Sequence, residues 1–76
     1  MLVFSSRLKE LRKNLNLTQK QVAEVMGVME QAYQRYEYGK KEPSISKLEK
    51  LCRYYGVSAD YLLGLSDEPR RLQGGD

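Results

Sequence analysis

The run Thr18-Gln19-Lys20-Gln21-Val22-Ala23-Glu24-Val25-Met26-Gly27-Val28-Met29-Glu30-Gln31-Ala32-Tyr33-Gln34-Arg35-Tyr36-Glu37-Tyr38-Gly39 decides the fold. Its first four residues read as a capping box. The Thr18 hydroxyl can accept from the amide of residue 21, and the Gln21 side chain can reach back to the Thr18 amide. A helix from there to Met26 puts Val22, Ala23 and Met26 on one inner face. Gly27 supplies a left-handed stop, a conformation that penalises any Cβ. A second helical pattern runs from about Glu30 to Tyr38 and halts at Gly39. The connection between them, Gly27-Val28-Met29, is so short that the two helices must cross steeply. Close backbones at such a crossing need a small residue, which Ala23 provides. Val22, Met26, Val28, Tyr33 and Tyr36 close the apolar wedge that sets the angle.

The same periodicity and punctuation extend to both sides. Upstream, Phe4, Leu8, Leu11 and Leu15 recur at helical spacing. They predict a first helix over residues 6–14, capped by Ser5 or Ser6 and broken by Asn14 and Asn16 near Leu15-Leu17. Downstream, the polar loop Lys40-Lys41-Glu42-Pro43 leads to Ser44, a cap for a fourth helix over 44–55 with Ile45, Leu48, Leu51, Cys52 and Tyr55 inward. Ser58 caps a short fifth helix to Leu63, closed by Gly64. Four of the six glycines thus fall just past an expected helix end, which ties two independent signals together. No β pattern competes. The expected architecture is all-α, a compact five-helix domain over residues 1–65, with 66–76 a flexible tail or the start of a linker.

Composition bounds what such a domain can do. Seventy-six residues make one small domain, which hides only about 60% of its unfolded surface on folding. A deep catalytic cleft within one protomer is therefore not expected. There is no histidine and a single cysteine, Cys52. That excludes zinc fingers and internal disulfides, and no metal or other cofactor is expected. Cys52 on the inner stripe of the fourth helix reads as a buried structural thiol. No paired carboxylates at catalytic spacing support an enzyme. The net charge of +3 permits a polyanionic partner without demanding one. The apolar start Met1-Leu2-Val3-Phe4 breaks off at Ser5-Ser6-Arg7, too short for a signal peptide. No apolar run approaches the ~18 residues of a membrane span. A cytoplasmic, nucleoid-associated protein that does not engage membranes is expected.

Taken together, Leu17-Thr18-Gln19, Val22-Ala23, Gly27-Val28, Tyr36-Glu37-Tyr38-Gly39-Lys40, Pro43-Ser44, Leu48 and Gly56-Val57-Ser58-Ala59-Asp60-Tyr61-Leu62-Leu63-Gly64 resemble the Cro and lambda-repressor type helix-turn-helix family. The resemblance covers about Arg7 to Gly64. It implies a five-helix double-stranded-DNA-binding domain that mostly represses transcription, usually as a homodimer on a palindromic operator. Antitoxins and other regulators that act mainly through protein contacts use related domains, and that alternative stays open. Its mark would be an exposed apolar patch around Tyr61 and Leu65, which is also where a homodimer through helix five and the tail would form.

The resemblance places the start of the third helix in the major groove. At about 100° per residue, Tyr33 and Tyr36 point to the core, and Gln31, Gln34, Arg35 and Tyr38 point away with Glu30 at the flank. Glutamine can pair bidentately with adenine and arginine with guanine, and a glutamate can accept from cytosine but repels phosphates. The base-reading candidates are therefore Gln31, Gln34, Arg35 and Glu30. Thr18 and Gln19 open the second helix, where free amides and the helix dipole suit a phosphate, although capping alone explains Thr18. By resemblance, Gln19 also braces the recognition helix. Lys20, Lys40 and Lys41, with Tyr38, are candidates for the DNA backbone, the lysines being equally at home as solvated charges. The resemblance further implies an ion pair between Arg12 and Glu37, the alternative being an exposed arginine. Tyr33 stands where the family prefers Ile or Val, and its hydroxyl needs a partner or an exit to water.

Overall fold

The computed structural model describes residues 2–70. Five helices follow in chain order: α1 (Leu2–Asn14), α2 (Gln19–Met26), α3 (Glu30–Glu37), α4 (Ile45–Tyr55) and α5 (Ala59–Leu63). Among the described residues there is no strand, only an isolated bridge between Val57 and Arg70. The core gathers Phe4 and Leu8 of α1, Val22, Ala23 and Met26 of α2, Tyr33 and Tyr36 of α3, Leu51 and Cys52 of α4, Val57 and Leu62. The expected inward set of α2 and α3 is thus the observed one. α2 packs on α3 and on α4, and α1 bridges α3 and α5.

The caps follow the side chains that can make them. Thr18 Oγ1 accepts from Gln21 N at 3.0 Å and Gln21 Oε1 accepts from Thr18 N at 2.8 Å, a complete capping box. Ser44 and Ser58 accept from the amides of Lys47 and Tyr61 in the same way. Gly27 ends α2 at φ 72°, where its amide and that of Val28 close back on the last turn. Gly39, Gly56 and Gly64 also have positive φ.

The start of α1 corrects the sequence reading. The helix begins at Leu2, four residues before the expected start, and neither Ser5 nor Ser6 caps it. Ser5 lies buried inside the helix and its hydroxyl donates to the Tyr36 carbonyl at 2.6 Å. The first turn is held by tertiary packing instead. Leu2 reaches Gly39, and Val3 lies so close to Gly64 that a Cβ there would sit 2.8 Å from Val3 Cγ1. Two apolar residues also depart from the expected faces. Leu15 falls beyond the end of α1 and is exposed, and Ile45, at the first position of α4, is 87% exposed because the helix starts before it reaches the core.

The segment after α5 does not simply lead away. Arg7 Nη1 donates to the Tyr61 and Ser66 carbonyls at 2.5 and 2.6 Å, and Arg7 Nη2 meets Asp67 Oδ1 at 2.7 Å. Ser58 N donates to the Pro69 carbonyl at 3.0 Å. Residues 66–70, expected to open a flexible tail, are therefore tied to α1 and to the α4–α5 turn. The rest of the expected tail, 71–76, lies outside the described residues.

Candidate nucleic-acid interface

The interface candidates gather on α2, α3 and the loop after α3. α3 starts at Glu30 because the chain leaves the Gly27 turn extended, with Met29 at φ −74° and ψ 154°. Met29 occupies the N-cap, yet no side chain caps this helix. α2, α4 and α5 all carry a Ser or Thr cap that bonds. The Met29 side chain is 74% exposed. An uncapped start with an exposed thioether beside it is a feature the sequence reading did not single out. The signal for it was the missing Ser, Thr, Asp or Asn before Glu30.

From that start, Glu30, Gln31 and Arg35 are exposed on the outward side of α3, and Tyr38 is exposed just past its end. Tyr33 and Tyr36 are fully buried on the other side. Gln34 sits on the flank nearest α2 and is only half-exposed. Thr18 and Lys20 are exposed at the start of α2, as are Lys40 and Lys41 after α3. Lys41 Nζ lies 5.7 Å from the centre of the Tyr36 ring. Among the described residues, none of Lys20, Arg35, Lys40 and Lys41 is in an ion pair. Their charge is therefore not neutralised within the domain.

Behind this face lies a buried polar cluster. Arg12 Nε meets Glu37 Oε2 at 2.6 Å and Arg12 Nη2 meets Glu37 Oε1 at 3.1 Å, the two-pronged geometry that suits guanidinium and carboxylate. The side chains of Arg12 and Glu37 are only 12% and 1% exposed. Arg12 Nη1 also donates to the Leu17 carbonyl at 3.0 Å, which fastens the α1–α2 loop. The Tyr33 hydroxyl donates to Glu37 Oε2, so the polar end of this core tyrosine has its partner. Gln19 Nε2 donates to Glu37 Oε1 at 3.2 Å, and Gln34 Nε2 donates to Gln19 Oε1 at 3.2 Å. Burial alone would push the Glu37 carboxyl up, but the bonds from Arg12, Tyr33 and Gln19 outweigh it and hold it below its ordinary value. The same bond keeps the Arg12 guanidinium above its usual range. Burial first, and then Glu37, push the Tyr33 hydroxyl up, so it remains a donor.

The structure thus joins Arg12, Glu37, Gln19 and Gln34 in one chain of contacts from α1 through α2 to the outward side of α3. The link from Gln19 to Gln34 gives a partner to the brace on the recognition helix that the resemblance implied for Gln19. Tyr61 and Leu65 belong elsewhere, on and after α5, which packs on α1 and α4. Leu65 is 75% exposed. Tyr61 is half-buried, with the Arg7 guanidinium 4.2 Å from its ring centre. Among the described residues no helix is long and apolar enough to cross a membrane.

A family model described as helix-turn-helix matches residues 8–62. The chain is 45% identical over 67 residues to YobD, an uncharacterised helix-turn-helix-type transcriptional regulator of Bacillus subtilis, covering 88% of this chain and 60% of YobD. It is 37% identical over 65 residues to RstR, the cryptic phage CTXphi transcriptional repressor of Vibrio cholerae, covering 86% of this chain and 59% of RstR. The chain therefore spans about 60% of the length of these curated relatives. Among solved structures, a transcriptional regulator from Listeria innocua superposes with a TM-score of 0.79 at 31% identity, covering 93% of this chain and 66% of that one.

Proposed function

The chain belongs to the helix-turn-helix family, and from that membership we propose that it is the operator-reading domain of a transcriptional repressor, binding a palindromic double-stranded site as a homodimer. The observation that carries the reading is the outward side of α3. Gln31 and Arg35 are exposed and Gln34 is braced, all on a helix that packs against α2 across the short Gly27 turn. These are the residue types whose side chains pair with base edges in the major groove. Thr18, Gln19, Lys20, Tyr38, Lys40 and Lys41 flank that side and suit phosphates, which set register rather than sequence. Glu30 is assigned to the groove edge, where it favours a cytosine amino group and disfavours nearby phosphates. The likeness to a phage repressor supports repression. The exposed Leu65, next to the turn that holds α1 and α5 together, supports a homodimer built through helix five and the segment after it.

The test is selection of bound duplexes from a random pool at two salt concentrations. The proposal expects a palindrome with half-sites about one helical turn apart, and affinity that falls as salt rises. Enrichment of no sequence at either concentration would overturn it. An enriched site without symmetry would retain the DNA reading and remove the homodimer.

A further inference from the structure

We propose that the buried Glu37 carboxylate, acting through Gln19, fixes the hydrogen-bonding sense of Gln34 and so directs Gln34 to adenine rather than guanine. The inference rests on the DNA-binding reading and adds to it the identity of one base and the residue that selects it.

An ionised carboxylate only accepts. Glu37 is ionised, since it receives Arg12 at both oxygens along with the Tyr33 hydroxyl. The group that Gln19 turns to Glu37 Oε1 must therefore be its NH2, as the 3.2 Å contact from Nε2 has it. With its NH2 turned inward, Gln19 faces α3 with its carbonyl oxygen. Only the NH2 of Gln34 can answer that oxygen, and Gln34 Nε2 lies 3.2 Å from it. Gln34 is then left with Oε1 and a single N–H. Among the described residues no hydrogen bond reaches that Oε1.

An acceptor beside one remaining N–H matches the major-groove edge of adenine, which offers the N6 amino group next to N7. Guanine presents two acceptors there, O6 and N7, and would meet Gln34 Oε1 oxygen to oxygen. A glutamine free to turn over could present its NH2 to guanine instead. Here turning over would set two carbonyl oxygens against each other where Gln34 meets Gln19. Gln19 thus acts as a positioning residue, and the polarity it transmits originates in the core ion pair.

The experiment uses the site selected by the wild-type protein and finds the base pair whose preference disappears in Gln34→Ala. Affinities for A·T and G·C at that position are then measured by fluorescence anisotropy. The expected wild-type preference is for adenine, by about tenfold or more. Gln19→Met, which keeps length but removes the amide, should flatten that ratio severalfold while leaving the position read by Arg35 unchanged. Gln19→Lys should shift the ratio toward guanine, because an ammonium only donates and would draw Gln34 Oε1 inward. Removing the brace without changing polarity would weaken binding but not invert a preference. Thermal melts identify any variant that fails to fold, and Gln19→Met carries the test if Gln19→Lys does. A preference for G·C over A·T at the Gln34 position in wild type, no position sensitive to Gln34→Ala, or an unaltered ratio in Gln19→Met would overturn the proposal and leave DNA binding intact. A wild-type protein that selects no site would overturn the underlying reading as well.

Discussion

Glu37 shows how one residue can serve both stability and the binding surface. It is a buried charge with four hydrogen bonds from three other side chains. Such a group stabilises only while its partners remain, and leaving one ion of a buried pair alone costs about 3–5 kcal/mol. Glu37→Ala should cost that much, read as a fall in the midpoint of thermal or urea unfolding. Wild type should also lose stability in acid. The folded Glu37 carboxyl titrates below its ordinary 4.5. Its contribution is therefore complete above that pH and disappears as pH falls through the lower, folded value. An unfolding midpoint that is flat from neutral pH down to pH ~3 would contradict this. Cys52 makes a simpler case, a thiol 7% exposed in the core. Cys52→Ala should cost about 1 kcal/mol, with affinity per folded molecule unchanged and the native thiol alkylating slowly. The inward place of Cys52 was legible in the spacing of α4. The meeting of Arg12 and Glu37 was not, because residues 25 apart share no periodicity, and only likeness to a family suggested it.

Among the elements, α2 was the most readable, because its ends are written in local chemistry. Thr18 and Gln21 cap within four residues, and Gly27 stops the helix after Met26. The beginning of α1 was not readable for the opposite reason. Ser5 and Ser6 look like caps, yet Phe4 and Ser5 are buried inside the helix, where Ser5 bonds to the Tyr36 carbonyl of α3, and Val3 lies against Gly64 after α5. Gly64 tests this account of α1. At φ 82° any side chain is strained, and an added Cβ would also meet Val3. Gly64→Ala should cost more than the ~1–2 kcal/mol of left-handed strain alone, and Val3→Ala in the same chain should recover part of the excess. Additive effects in the double variant would show that the two do not press on each other. At α3 the expectation runs the other way. Met29→Ser would give its N-terminus the missing cap and should raise stability by about 1 kcal/mol. A lower melting temperature would show that the Met29 side chain supports the helix.

Across the whole molecule the division of labour is spatial. The core and the Arg12–Glu37 cluster hold α1, α2 and α3 at fixed angles, and the side chains proposed to meet DNA stand outside that core. The outward placement of Gln31 and Arg35 was legible from the helical period once Tyr33 and Tyr36 were set inward. The hold of Gln19 on α3 was suggested only by likeness to a family, and its partner Gln34 was not legible, since that depends on how two helices face each other. Substitutions on the two sides should therefore separate cleanly. Lys40→Ala or Lys41→Ala, if these lysines meet phosphates, should weaken binding alike on every sequence and lower the salt slope by about one unit for each phosphate no longer neutralised. Arg35→Ala should leave melting nearly unchanged, because the side chain is exposed and takes part in no ion pair among the described residues. The most direct test of the central claim is fluorescence anisotropy of wild type and Arg35→Ala on the selected duplex and on a scrambled one. The prediction is that Arg35→Ala lowers affinity for the selected duplex by about 1–3 kcal/mol per half-site and barely alters the scrambled one. Equal weakening on both duplexes would contradict base reading by α3, and a wild-type protein that binds neither at low salt would contradict DNA binding altogether.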